Sequence, residues 1–304
     1  MHSLPRRIAA LGLALLLGAC VVQEPADRPS RDLAVRVLSF NIRYGTAPDG
    51  PNAWPQRAEL VFDVIRRQDS DFVGLQEALR FQIDAIRDAV SGYEEVGGGR
   101  DDGREAGEYS AILYLKDRWR VADSGTLWLS DTPAVPGSMD WGNRFPRIVT
   151  WGRFVERESG RAVWVFNTHF DHESQRARLR SAELLAERIA DREPRDPVIV
   201  TGDFNAGEAN PAIRHLEGGD GRSPVRLVDT FRVLHPDAGA AGTFGEFTGR
   251  RNGPKIDYVF VERGTRVLEA QIIRDNRDGR YPSDHYPVFA EIVPWDAPYP
   301  ALRR

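Results

Sequence analysis

The sequence predicts an α/β fold built from two packed, mostly antiparallel β-sheets with helices on the outside. Short apolar runs of strand length recur along most of the chain, whereas stripes of helical spacing are few. From residue 111 to 167 the runs follow one another with almost no helical signal between them, so they are expected to pair as antiparallel neighbours. The composition is that of a globular domain with a sizeable core, 41% hydrophobic and 28% charged over 304 residues.

The elements follow in order. Val35–Phe40 alternates and reads as a strand, and Ala58, Val61, Phe62 and Ile65 recur at helical spacing. Asp71–Leu75 is a second strand, followed by a helix stripe at Leu79, Ile83, Ile86 and Val90. Strands are expected at 111–115, 121–129, 148–155 and 163–167, then a long amphipathic helix over Glu173–Arg192. Val198–Thr201, Ile256–Val261, Val267–Ile273 and Val288–Ile292 complete the strands. Three segments rich in Gly, Pro or charge, 97–107, 132–145 and 235–254, read as mobile loops. No internal repeat with matching residues is visible, and one domain over 35–296 is expected, with a tail at 297–304.

The first residues carry a separate signal. Arg6 and Arg7 precede an apolar run, Ile8–Leu17, too short to span a bilayer. It ends in Leu17-Gly18-Ala19-Cys20, which resembles a bacterial lipoprotein signal, and Cys20 is the only cysteine. The resemblance implies a signal peptide over 1–19, a lipidated Cys20 anchoring the chain to a membrane, and a flexible tether over 20–34. The expected location is the bacterial cell envelope or periplasm. Val21 lacks the acidic character of an inner-membrane signal, which favours the outer membrane. With Cys20 lipidated no disulfide can form, so the core must be stable by packing alone.

The formal net charge is −4, and only Lys116 and Lys255 are lysines among the 41 basic residues. Removing residues 1–19 takes away two arginines and no acids, leaving 39 basic against 45 acidic residues. Such a balance argues against a protein that grips long nucleic acid by bulk electrostatics, but not against one that touches a few phosphates.

The chemistry-bearing residues stand where strands end. Ser39-Phe40-Asn41, Gly74-Leu75-Gln76-Glu77, Asn167-Thr168-His169-Phe170-Asp171 and Thr201-Gly202-Asp203-Phe204-Asn205 each close an apolar run. Lys255-Ile256-Asp257-Tyr258 opens a strand, and Ser283-Asp284-His285 precedes the last one. Burying such groups without partners costs about 2–7 kcal/mol each, and several converging groups can share a cation instead. Taken singly, each has a plainer explanation. Asp203 and Asn205 suit a turn, Glu77 suits a helix N-terminus, either histidine suits a structural role, and Asp257 could pair with Arg250 or Arg251.

Together, Asn41, Glu77, Tyr109, Arg147, His169, Asp203-Phe204-Asn205, Asp257 and Ser283-Asp284-His285 resemble the endonuclease/exonuclease/phosphatase superfamily, over about residues 35 to 293. Pancreatic-type deoxyribonuclease and neutral sphingomyelinase are among its members. The resemblance implies a four-layered α/β sandwich and hydrolysis of a phosphate ester with Mg²⁺ or Mn²⁺. It implies Glu77 as principal metal ligand assisted by Asn41, with Asp284 as a second metal contact or an outer orienter. Asp203 would deprotonate the attacking water and Asn205 would fix water or phosphate. His285, held by Asp257, would contact a phosphate oxygen, while His169, Tyr109 and Arg147 would donate to the same anion. Phe170-Asp171-His172 departs from the best-known members; His172 is read as an exposed helix-start residue.

A nuclease-like phosphodiester hydrolase is the expected activity. The alternatives are a phosphomonoesterase acting on a sugar or inositol phosphate, a lipid-headgroup phosphodiesterase, and, in another class, an inactive surface binding module. The last is disfavoured because no catalytic position is lost. A monomer is expected. Of the loop aromatics Trp128, Trp141, Phe145, Trp151, Phe244 and Phe247, most are expected to pack, with Trp141 and Phe145 the candidates to line a cleft and stack on a base or sugar.

Overall fold

The computed structural model describes residues 33–295. The expected signal peptide at 1–19, Cys20, the tether as far as residue 32 and the 297–304 tail lie outside the described residues. In chain order the elements are β1 (Val35–Asn41), α1 (Trp54–Gln68), β2 (Phe72–Gln76), α2 (Arg80–Ala89), β3 (Tyr93–Val96), β4 (Ile112–Leu115), β5 (Trp119–Trp128) and β6 (Ile148–Glu156). They continue with β7 (Ala162–His169), α3 (Gln175–Ala190), β8 (Val198–Asp203), α4 (Pro211–Leu216), β9 (Leu227–Asp229), α5 (Thr230–Leu234), β10 (Asp257–Glu262), β11 (Arg266–Ile272) and β12 (Val288–Val293).

Two six-stranded sheets form, in the orders β11-β12-β1-β2-β4-β3 and β5-β6-β7-β8-β10-β9. Each sheet is antiparallel except for one parallel pair, β1 with β2 and β7 with β8. A helix makes each parallel crossover, α1 in the first sheet and α3 in the second. The two sheets therefore repeat the same order of directions, although no residue-level repeat is visible in the sequence.

Val35, Val37, Phe72, Phe154, Val165 and Ile199 belong to the apolar layer between the sheets. A second layer (Leu38, Phe40, Val61, Ile65, Ile83 and Ile86 among others) joins the first sheet to α1 and α2. A third, with Phe166, Ala182, Leu185 and Phe204, joins the second sheet to α3 and α4. The order helix, sheet, sheet, helix is the expected four-layered sandwich. Central strands β2, β7 and β8 are buried along their whole length, so their sequences read as continuous apolar runs. β3, β9, α4 and α5 were not legible, being three to six residues long. The glycine-rich 97–107 segment is pinned rather than free: Gly99 N donates to Arg104 O, Arg100 N to Glu108 O and Asp101 N to Ala106 O.

A polar seam crosses the inter-sheet layer just below the strand ends. Asn167 uses all its hydrogen-bonding capacity there. Its oxygen accepts from Gln76 Nε2 (2.7 Å) and Thr201 Oγ1 (3.0 Å), and its amide donates to Leu75 O (2.8 Å) and Ala111 O (2.9 Å). Ser39 Oγ on the first sheet accepts from Gly202 N on the second at 3.0 Å. Gly74 makes this approach possible, because a Cβ there would collide with Thr201 Oγ1 and come within 2.7 Å of Asn167 Oδ1. The seam fixes the register of one sheet against the other.

Candidate active site

The carboxyl ends of both parallel pairs open at one mouth, the position where open parallel strands present ligand-binding loops. Asn41 comes from the end of β1, Glu77 from just past β2, His169 from the end of β7 and Asp203 from the end of β8. Antiparallel pairing sets Asp257 opposite Asp203, and the segment before β12 brings in His285. Glu77 and Asn205 both have left-handed backbones, φ 58° and 46°. Such strain in non-glycine residues costs about 1–3 kcal/mol and gathers at functional sites.

Asn41 stands between the two carboxylates. Its Nδ2 donates to Glu77 Oε1 at 3.1 Å and to Asp203 Oδ2 at 2.9 Å. Its oxygen accepts from Arg43 N at 2.9 Å. Asn41, expected to assist Glu77 at a metal, stands beside it and spaces the two acids, its oxygen accepting one bond from Arg43 N. Glu77 Oε2 in turn accepts from Tyr44 N at 3.1 Å.

Asp257 grips His285 with both oxygens, at 3.1 and 2.9 Å from Nδ1, and leaves Nε2 3.8 Å from Asp203 Oδ2. Asp257 thus pairs with His285 rather than with Arg250 or Arg251. Burial alone would lower the His285 pKa, but Asp257, Asp203 and Asp284 outweigh it and hold the imidazole cationic well above its ordinary range. Asp203 is pushed up to about 7, first by burial and then by the charge of Asp257, with His285 and the donors Asn205 N and Asn41 opposing. A carboxylate of that basicity is matched to taking a proton near neutral pH.

His169 lies 3.5 Å from Asp203 through Nε2. Asn205 Nδ2 donates to Phe170 O at 3.1 Å and lies 3.0 Å from His169 Nε2. Burial, followed by Arg147 and Arg100, lowers the His169 pKa well below its usual value, so the ring is neutral. His169, expected as a donor to the phosphate, stands here beside both Asp203 and Asn205.

Arg147 is 3% exposed and reaches His172 Nδ1 at 2.8 Å and Asp171 Oδ2 at 3.7 Å. Its Nε and Nη1, and His169 Nδ1, are buried with no hydrogen-bond partner. A cavity of about 10 Å³ lined by Arg100, Glu108, Arg147 and His169 adjoins them. His172 is exposed, as expected, and stacks on Phe145 at 6.4 Å. Tyr109 lines the same cavity, but its hydroxyl donates to Arg104 O at 2.7 Å and Arg80 covers its ring, so it also pins the 97–107 loop. The neighbouring Glu108, which sequence reasoning missed, faces inward instead, paired with Arg100 at 2.7 Å. Burial raises its pKa, with a further push from Glu77.

Asp284, expected at the metal, accepts from Ser283 Oγ at 3.1 Å and lies 3.8 Å from the Arg43 guanidinium. Arg57 was also missed. It is 2% exposed and donates to the carbonyl oxygens of Ile42, Arg43, Asn52 and Pro282, tying the Asn41 loop to the His285 segment. Burial draws its pKa down to about 10. Trp141 packs in the core under α3 and bonds Asp131, whereas Phe145 is exposed at the rim between Arg100 and Arg144. Phe244 packs on His285 at 4.9 Å.

One oxygen or nitrogen from each of Glu77, His169 and Asp203 falls within 4.8 Å of the others. Two carboxylates with open positions for water suit a hard divalent cation such as Mg²⁺ or Mn²⁺. The residues fit that group.

Residues 38–285 match the Endonuclease/Exonuclease/phosphatase family. The structure is similar to an endonuclease/exonuclease/phosphatase of Bacteroides vulgatus, with TM-score 0.77 and 34% identity over 85% of this chain and 98% of that one. It is similar also to a mannosyl-6-phosphatase of Bacteroides thetaiotaomicron, with TM-score 0.76 and 32% identity over 85% and 99%. TDP2 of D. rerio, solved with a single-strand DNA product, shares the fold alone at 16% identity and TM-score 0.66, over 85% and 98%.

Proposed function

This chain belongs to the endonuclease/exonuclease/phosphatase family, whose members are phosphoesterases, and from that premise we propose that it hydrolyses a phosphate monoester of a small polar alcohol such as a sugar. The observation that carries the hydrolytic reading is the pair Glu77 and Asp203 spaced by Asn41, with a cationic His285 held against Asp203 by Asp257. The monoester reading is supported by the relative at 32% identity that is a mannosyl-6-phosphatase. It is supported further by two cations beside the carboxylate pair, His285 Nε2 at 3.8 Å from Asp203 and Arg43 Nη1 at 4.0 Å from Glu77. A monoester dianion needs more such charge than a diester does.

Glu77 would hold the divalent cation, which when bound stabilises charge on the phosphoryl oxygens. Asp203 takes the proton of the attacking water. Asn205, aligned by His169, leaves its carbonyl oxygen to orient that water. His285 presents a protonated Nε2 to a phosphoryl oxygen, and Asp257 maintains the charge. Arg147 Nη1, buried without a hydrogen-bond partner, would donate to the anion, while Nε lies 3.7 Å from Asp171 Oδ2.

A nuclease-like phosphodiesterase is the second reading, favoured by exposed Phe145, which stacks on His172 and carries Arg100 and Arg144 on its faces. Such a rim can hold a base or a sugar ring. A panel of mannose 6-phosphate, glucose 6-phosphate, inositol phosphates, bis-p-nitrophenyl phosphate, sphingomyelin and single-stranded DNA, each against wild type and Asp203→Ala, separates the two. Turnover of sugar phosphates lost in the variant is expected. Turnover confined to the diesters would refute the monoester reading, and no turnover of any would refute both.

A further inference from the structure

Resting on the monoester reading above, we propose that Arg100 and Glu108 form the seat for the alcohol, bonding hydroxyl groups of a sugar whose phosphate lies against Arg147 and His285. A closed circuit of contacts surrounds this patch. Arg147 Nη2 meets His172 Nδ1 at 2.8 Å, and the His172 ring stacks on Phe145 at 6.4 Å. Phe145 carries the Arg100 guanidinium at 5.1 Å, and Arg100 Nη1 donates to Glu108 Oε2 at 2.7 Å. Arg100, Glu108, Arg147 and His169 together line the cavity of about 10 Å³, and the charge of Glu77 bears on Glu108. His172, in sequence terms only an exposed helix-start residue, thereby links the phosphate-facing arginine to the rim.

The pair is rigidly carried. Arg100 N donates to Glu108 O at 3.0 Å, and Arg100 O accepts from Trp128 Nε1 at 2.6 Å. The loop bearing Arg100 turns too tightly for a side chain at Gly99, where a Cβ would lie 2.1 Å from Ala106 O. A single contact uses only part of what the two groups offer. Among the described residues, Glu108 Oε1 accepts no hydrogen bond and Arg100 Nη2 donates none. Arg100 Nε is buried without a hydrogen-bond partner, 4.0 Å from Asp101 Oδ1. A carboxylate oxygen lacking a donor, beside a guanidinium lacking an acceptor, is complementary to a hydroxyl group, which supplies both. Other alcohols fit worse. The Glu108 carboxylate repels the next phosphate of a nucleic-acid strand, and a hydrocarbon chain would desolvate both charged groups without bonding them. Sugar hydroxyls satisfy the pair, and a site built on such bonds rejects analogues that lack the hydroxyl.

Phosphate release tests this through selectivity. The substrates are the better of mannose 6-phosphate and glucose 6-phosphate, its deoxy analogues at C2, C3 and C4, and ethyl phosphate, which has neither ring nor hydroxyl. The ratio of kcat/KM for the sugar phosphate to that for ethyl phosphate should fall about 10–100-fold in Glu108→Ala, the worth of a hydrogen bond to a charged group. Should that variant fold poorly by circular dichroism, Glu108→Gln should still lower the ratio about 3–10-fold, because charge-assisted bonds are about twice as strong as neutral ones. At least one deoxy analogue should be about 10-fold poorer than its parent on wild type and within about twofold of it on the Glu108 variant, the coupling expected of groups in contact. A ratio unchanged in both variants, deoxy analogues equal to the parent on wild type, or a deoxy penalty that survives loss of Glu108 would each overturn the seat and leave the monoester reading standing. Wild-type turnover of ethyl phosphate but of no sugar phosphate would overturn the seat and the sugar class together. No turnover of any monoester by wild type would remove both the seat and the reading on which it rests.

Discussion

Replacing Asp257 by Asn removes one negative charge from behind His285 while keeping the size of the side chain and an oxygen able to accept from Nδ1. The two groups are fully buried and joined by contacts of 2.9 and 3.1 Å. A hydrogen bond between buried charged groups is worth about 1.5–3 kcal/mol, and about 1.4 kcal/mol moves a pKa by one, so the His285 pKa should fall by about 1–2. The sign follows from the raised value. The imidazolium is present below its folded pKa and lost as pH rises through it, so activity that needs this charge should fail at lower pH in the variant. Asp203 moves the same way, since Asp257 is the second cause, after burial, of its rise to about 7. Both limbs of the pH profile of kcat/KM should therefore shift toward acid, with the deepest loss, about 10–100-fold, on the alkaline side. Rate profiles from pH 5 to 10, together with NMR titration of the His285 ring, provide the measurement. A loss equal at every pH, with unmoved limbs, would refute the reasoning, because it would make Asp257 a purely structural partner.

Chelation should abolish turnover, and Mg²⁺ or Mn²⁺ added back should restore it; full activity in excess EDTA would exclude the ion from the reaction. Gly74→Ala should lower stability by about 1–3 kcal/mol, the usual cost of overpacking, because its methyl group would enter the space held by Thr201 Oγ1 and Asn167 Oδ1. Thermal unfolding followed by circular dichroism measures that loss, and an unchanged Tm would contradict the tight approach of the two sheets.

Much of this centre was legible because of where the apolar runs stop. β1, β2, β7 and β8 are buried almost throughout, so a polar residue at the end of each stands out, and Asn41, Glu77, His169 and Asp203 all meet at one mouth. Asp257 and His285 were readable for the same reason. Residues that act through side-chain direction were not. Glu108 and Tyr109 are neighbours on an extended segment, and only the structure shows that Glu108 pairs with Arg100 while the Tyr109 hydroxyl turns to Arg104 O. Arg43 and Arg57 looked like two among 39 arginines, since neither the fork of Arg43 on Asp49 nor the backbone carbonyls that satisfy Arg57 leave a pattern in sequence. Nor could spacing reveal that the amide of Asn41 is turned so that it donates to both carboxylates.

The inter-sheet seam has a consequence for how this molecule would fail. Half of the reactive groups ride on one sheet and half on the other, so their separations measure how the two slabs are aligned. The apolar layer between slabs would tolerate a small slide, because greasy contacts have little directional preference, but Asn167 and Ser39 would not. Those few amide and hydroxyl bonds therefore work as dowels. An offset too slight to expose the interior would still break these bonds, pull the two acids out of step and silence the chemistry.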